Sequence, residues 1–154
     1  TNSGTSDNFS IRVINGIYSN YNNEVPLGLP IGSFSVSKTW FINEAVSGGS
    51  NATVSLSWPL SEELFGFNNS LCDISKYDGT NNYWESGQLS AASGTTTLFT
   101  QSRTNVTSFS PFGLGTDSNP LGHTSVVLTG NYDPSKKSVV LGWGWLITAN
   151  INLV

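Results

Sequence analysis

Residues 52–58 read Ala-Thr-Val-Ser-Leu-Ser-Trp, apolar and polar in strict alternation, and this period of two is the strongest constraint on the fold. A β-strand turns successive side chains to opposite faces, so Val54, Leu56 and Trp58 share one face. Pro59, which cannot donate to a ladder, closes the strand. Similar runs occupy residues 9–13 and 35–43, and further strands are expected at 72–77, 83–85, 96–101 and 105–109. Asn15-Gly16, Gly48-Gly49, Asp78-Gly79 and Ser93-Gly94 punctuate them as turns. No helical period is sustained, and 61–64 would form one helical turn at most. The pattern predicts an all-β chain, an antiparallel β-sandwich that is immunoglobulin-like in general architecture.

Composition narrows the function classes. Charged residues are 10% of the chain, against about a quarter in a typical soluble domain, while Ser, Thr, Asn and Gly supply nearly half. Five Trp, five Tyr and eight Phe set it apart from disordered sequences, which lack such residues. A net charge of −4 opposes nucleic-acid binding, which needs a basic stripe, and opposes attraction to anionic membranes. No apolar run is long enough for a membrane-spanning helix. The chain opens at Thr1 without a basic-then-apolar leader, so a secreted, mature form is expected. Asn8, Asn51, Asn68 and Asn105 begin Asn-x-Ser/Thr sequons, which matter only in a eukaryotic secreted chain.

The texture changes near Pro120. Residues 124–132 and 138–147 are apolar runs joined by Asp133-Pro134-Ser135-Lys136-Lys137, the pattern of strand, polar turn and strand. Domain boundaries of 1–118 for the sandwich and 119–154 for an appended C-terminal strand pair follow. The run at 139–147 is apolar on both faces, and a lone hairpin of that kind must be covered. An exposed strand edge is a template for pairing, so 119–154 is expected to complete a neighbouring copy, with folding back onto its own sandwich as the competing account. The residues expected to carry self-assembly are Val126, Val127, Leu128, Val139, Val140, Leu141, Trp143, Trp145 and Ile147.

Several segments taken together resemble one family. Lys38-Thr39-Trp40-Phe41-Ile42-Asn43-Glu44-Ala45, then Gly48-Gly49-Ser50-Asn51-Ala52-Thr53-Val54, then Leu56-Ser57-Trp58 and Glu63-Leu64-Phe65-Gly66-Phe67-Asn68 occur in order. The stretch 103–115, which ends Ser-Pro-Phe-Gly-Leu-Gly, resembles a closing signature. Over about residues 7–115 the chain resembles a β-sandwich repeat module of exported surface proteins of Bacteroidetes-like bacteria. That resemblance implies a type IX secretion route and offers no catalytic residues to carry over. Residues 119–128 and 139–143 resemble the opening of a further domain, from which the chain then departs.

The chemistry-bearing residues are sparse. His123 is the single histidine, and its proximity to Asp117 and Ser125 is no evidence of triad geometry. Cys72 is the single cysteine, so no intrachain disulfide forms, and its apolar run predicts a small buried strand residue. Glu62 and Glu63 are adjacent, whereas a glycosidase needs two carboxyls facing across a cleft; Glu44 and Glu85 are not singled out as partners. Residues 78–82, with Glu85 beyond, offer oxygen ligands of the kind calcium takes, but the spacing matches no EF-hand and Asp-Gly reads as a hairpin turn. No cofactor and no resident metal are expected.

Trp40 and Trp58 read as core, whereas Trp84, beside Tyr83 and the Asn81-Asn82 turn, is expected as an exposed ring. Two functions are therefore carried forward. The first is a non-enzymatic extracellular structural protein, a subunit or repeat of a surface fibre or adhesin assembled by strand addition between copies. The alternative is a carbohydrate-binding module using Tyr83, Trp84, Asn81 and Asn82.

Overall fold

The computed structural model describes residues 1–116. The expected strand pair and all nine self-assembly residues, together with His123, lie outside the described residues. Ten strands are described: β1 (Phe9–Asn15), β2 (Tyr21–Asn22), β3 (Val25–Pro26), β4 (Lys38–Glu44), β5 (Ala52–Pro59), β6 (Cys72–Asp78), β7 (Tyr83–Glu85), β8 (Ser93–Gly94), β9 (Leu98–Val106) and β10 (Pro111–Thr116). The helical turn expected at 61–64 is a single 3-10 turn, Leu60–Glu62.

The strands form an antiparallel β-sandwich. One sheet has the order β1-β4-β10-β6-β7, the other β5-β9-β8, and β2 and β3 make a separate small hairpin. The alternation read in 52–58 is realised directly: Ala52, Val54, Leu56 and Trp58 are buried, and the side chains between them face outward. Val54, Leu56 and Trp58 meet Val36, Trp40, Ile42, Cys72, Ile74, Phe112 and Leu114 in the core between the sheets. On the outer face Ser55 and Ser57 exchange hydroxyl hydrogen bonds with Ser102 and Thr100, each at 2.8 Å. Each large side chain fully buried here contributes about 1.5–3 kcal/mol relative to exposure.

The five-stranded sheet is buried on its other face as well. Phe41, Tyr77 and Trp84 point away from the sandwich core and form a second cluster with Ile17 and Tyr21. Residues 16–31 lie across that face. The Tyr18 amide donates to the Tyr21 hydroxyl at 2.9 Å, and that hydroxyl meets Thr39 Oγ1 at 2.7 Å. Thr39 donates in turn to the Gly16 carbonyl at 2.8 Å. Gly113 leaves the room this cover needs, since a Cβ there would overlap Ile17 and press on the Trp84 ring at 3.2 Å.

Three expectations change in detail. Residues 96–101 and 105–109, read as two strands, are one strand, β9, whose pairing with β5 shifts register between Ala52 and Val54. The run from Ser35 becomes regular only at Lys38, with Ser35 and Val36 making single bridges to Gly115 and Glu63. The stretch resembling a closing signature begins in β9 and ends in a strand of its own, β10, seated between β4 and β6 and buried along its whole length. Its proline stands first in the strand, the position where a missing N–H is tolerated.

Candidate functional site

The ring expected on the surface is in the core. Trp84 is 3% exposed, packed edge-to-face against Tyr21 at 5.7 Å and Tyr77 at 5.5 Å. Its indole N–H donates to the Tyr18 carbonyl at 3.0 Å. The cause is the cover formed by 16–31, which local reading of Tyr83-Trp84 does not reveal. Tyr83 is half-buried, and Asn81 and Asn82 lie in the β6–β7 turn, where Asn82 adopts φ 57°. Asn82 Oδ1 accepts from the Tyr77 hydroxyl at 3.1 Å. A stacking platform at Tyr83-Trp84 is thereby corrected: no Trp84 face is available to a sugar.

The acidic residues are committed to separate structural partners. Glu62 pairs with Lys38 at 3.0 Å, whereas Glu63 accepts the Trp58 indole N–H at 3.0 Å. Glu85 pairs with Lys76 at 3.1 Å, and Gly48 N–H donates to Glu44 at 2.9 Å. Asp78 caps its own turn, accepting from the Thr80 amide at 2.8 Å and the Asn81 side chain at 2.7 Å. These bonds hold its carboxyl below the usual range, the Asn81 side chain contributing most. Among the described residues no three His, Cys, Asp or Glu side chains gather as metal ligands.

Cys72 is fully buried at the start of β6, and burial pushes its thiol up to about 11. Gln101 reaches across from β9 to cover it, its side-chain amide donating to the Cys72 and Ser90 carbonyls, both at 3.0 Å. Asp73 faces the other way. Burial raises its carboxyl above the ordinary aspartate range, against the lowering effect of the Gly87 amide and the Ser75 hydroxyl that bond to it.

The feature with binding character is an apolar slot along one side of the sandwich. β1 is the edge of the five-stranded sheet and β5 the edge of the three-stranded one. Between them a cleft of about 550 Å³ is lined by Phe9, Ile11, Trp40, Ile42, Val54, Leu56 and Phe109, with Thr1, Asn2 and Asp7 also on its wall. Ile11 stands opposite Ile42 and Val13 opposite Trp40, so both point to the core side of their sheet. Even so, Ile11 is 66% and Val13 49% exposed.

Part of the β5 edge is already occupied by the chain's own first residues. Thr53 N–H donates to the Thr1 carbonyl at 2.6 Å, the Thr1 ammonium donates back to Thr53 at 3.2 Å, and Ser3 N–H donates to the Asn51 carbonyl at 2.9 Å. Asn51 and Thr53 therefore direct their backbone groups outward. Antiparallel alternation makes Ser55 and Ser57 the next outward-facing residues. Among the described residues neither has a strand beside it on that side. Pro59, next in the same parity, has no N–H to offer.

Compared with protein-family models, with curated proteins and with solved structures, the chain matches none.

Sequence reasoning did not find Ile11, Val13, Ser55 and Ser57. Alternation identified β1 and β5 as two-faced strands and so held half the signal. That both are edge strands bordering the same opening depends on strand order, which no local pattern encodes.

Proposed function

We propose that this chain is a non-enzymatic structural module of an extracellular surface assembly, a subunit or repeat joined to its neighbours by β-strand addition. The observation that carries the reading is the largely apolar slot between the edge strands β1 and β5, lined by exposed Ile11, where among the described residues β1 has no strand on its outer side. A free edge supplies main-chain hydrogen bonds to an incoming strand, and the pockets beneath take its alternate side chains. A contact of this kind is head-to-tail, and when it does not close on itself it propagates into a filament. The polar, sparsely charged surface and the resemblance of residues 7–115 to exported bacterial repeat modules support the same reading and a secreted location.

Sedimentation and negative-stain electron microscopy of the full chain test it. Filaments or a concentration-dependent ladder of oligomers are expected. A chain that stays monomeric at high concentration would overturn the proposal. The carbohydrate-binding alternative is weakened by the loss of Trp84 to the core, and a glycan array is expected to return no ligand.

A further inference from the structure

Asn15 and Lys38 form the last pair of the β1–β4 ladder, directly opposite each other in register. By the alternation that turns Ile11, Val13, Trp40 and Ile42 to the core side, both side chains lie on that side of the sheet. There the Lys38 Nζ donates to Asn15 Oδ1 at 2.6 Å and stands 3.0 Å from Glu62 Oε1. Glu62 ends the 3-10 turn that follows β5, and its carbonyl accepts the Ser37 N–H at 2.8 Å, which holds the turn against the start of β4. An amine, a carboxamide and a carboxyl group thus converge, each on a segment fixed by backbone hydrogen bonds.

Those three groups are the reactants and the proton carrier of an amide exchange, and holding them together removes most of the entropic part of its barrier. A lysine that bridges an amide and a carboxylate for its charge alone is common on protein surfaces. One feature sets this pair apart. Asn15 precedes Gly16, the kind of step at which an asparagine side chain is ordinarily attacked by the next backbone nitrogen. Here that nitrogen is engaged, since the Gly16 N–H donates to the Ser37 carbonyl at 2.9 Å. The amine beside the Asn15 amide is instead that of Lys38.

We infer that Lys38 and Asn15 join in an intramolecular isopeptide bond, with Glu62 as the proton carrier. Glu62 takes a proton from the Lys38 ammonium, and the freed electron pair attacks Asn15 Cγ. The Nζ–Cγ bond forms as the Cγ–Nδ2 bond breaks. Two Nζ protons pass in turn through the Glu62 carboxyl to Nδ2, which departs as ammonium; the carboxylate is regenerated and no co-reactant is consumed. The product bolts the edge strand β1 to β4, its one strand neighbour among the described residues. Lys38 and Glu62 side chains are 21% and 30% exposed, and Asn15 is open to solvent. Water competes for all three groups, so conversion is expected over days of storage rather than during folding. The inference does not depend on the assembly reading above.

Trypsin reads the bond directly. Arg12, Lys38 and Lys76 bound the peptides 13–38 and 39–76, and an acylated Lys38 is not cut. Full-length protein stored in mildly alkaline buffer is expected to yield a joined peptide 13–76 lighter by one ammonia in the mass spectrum. Lys38→Arg should abolish it, and Glu62→Gln should slow its appearance by about a hundredfold or more. Asn15→Asp should give the same joined peptide, with water lost in place of ammonia. The chain held in urea should not form the bond, because nothing then aligns the three groups. A peptide 13–38 lighter by ammonia, cut normally at Lys38, would mean attack by the Gly16 nitrogen and would overturn the inference. So would an unmodified parent, or a joined peptide that forms as fast in a Glu62→Gln variant with the parent's far-ultraviolet spectrum.

Discussion

Replacing Trp84 by alanine removes the largest ring of the outer cluster. The side chain is 3% exposed, makes edge-to-face contacts with Tyr21 and Tyr77, and supplies the hydrogen bond received by the Tyr18 carbonyl. Truncating a buried Trp or Phe costs about 3–5 kcal/mol, the spread reflecting how far the site collapses. Collapse is limited here, because Gly113 contributes no side chain beneath the ring and Tyr77 is tied to Asn82. The orphaned Tyr18 carbonyl adds about 1 kcal/mol unless water reaches it. A loss near the upper end, about 4–5 kcal/mol, is a large share of the ~5–15 kcal/mol that holds a domain together. Trp84→Phe keeps most of the ring and loses the donor, so about 1–3 kcal/mol is expected. Urea unfolding followed by circular dichroism gives both values, with an unchanged m-value confirming that the effect lies in stability. A Trp84→Ala variant within about 1 kcal/mol of the parent would refute the buried placement and return the ring to the surface.

Asp73→Asn is expected to keep the bonds from Gly87 and Ser75 while removing a charge that burial disfavours. Because the folded-state pKa of Asp73 is raised, the folded protein binds more protons than the unfolded chain above about pH 3.8, and this group's contribution falls as pH rises through the folded value. The stability difference between variant and parent should therefore grow in the variant's favour from about pH 3.8 upward, and a flat difference would show that burial does not dominate. Glu24, lowered first by the Asn43 bond and then by Arg12, loses its stabilising contribution on acidification, but it is common to both proteins and cancels in the difference. Gln101→Ala removes the side-chain donor to the Ser90 and Cys72 carbonyls, which keep the backbone N–H bonds they exchange, so a cost of about 1 kcal/mol is expected. It should also speed modification of the Cys72 thiol by a disulfide reagent, whereas the parent should react only on unfolding; equal rates would exclude Gln101 as its cover.

The side-chain alternation of β1, β4, β5 and β6 was legible in the sequence, because period two is a property of the strand itself. It identified Val54, Leu56 and Trp58 as one face, Cys72 as a buried strand residue, and the chain as a sandwich. β10 was not legible, since Pro111, Gly113 and Gly115 weaken every local strand signal, and its burial comes entirely from the strands on either side. The same limit explains why Trp84 was misjudged and Ile11 was not found. Trp84 and Ile11 are both apolar side chains on alternating strands beside turns. Residues 16–31 fold over the first and nothing among the described residues covers the second. Which face a side chain takes is decided by backbone geometry one residue at a time. Whether that face meets a partner depends on segments tens of residues away and on strand order, and so on the tertiary structure alone.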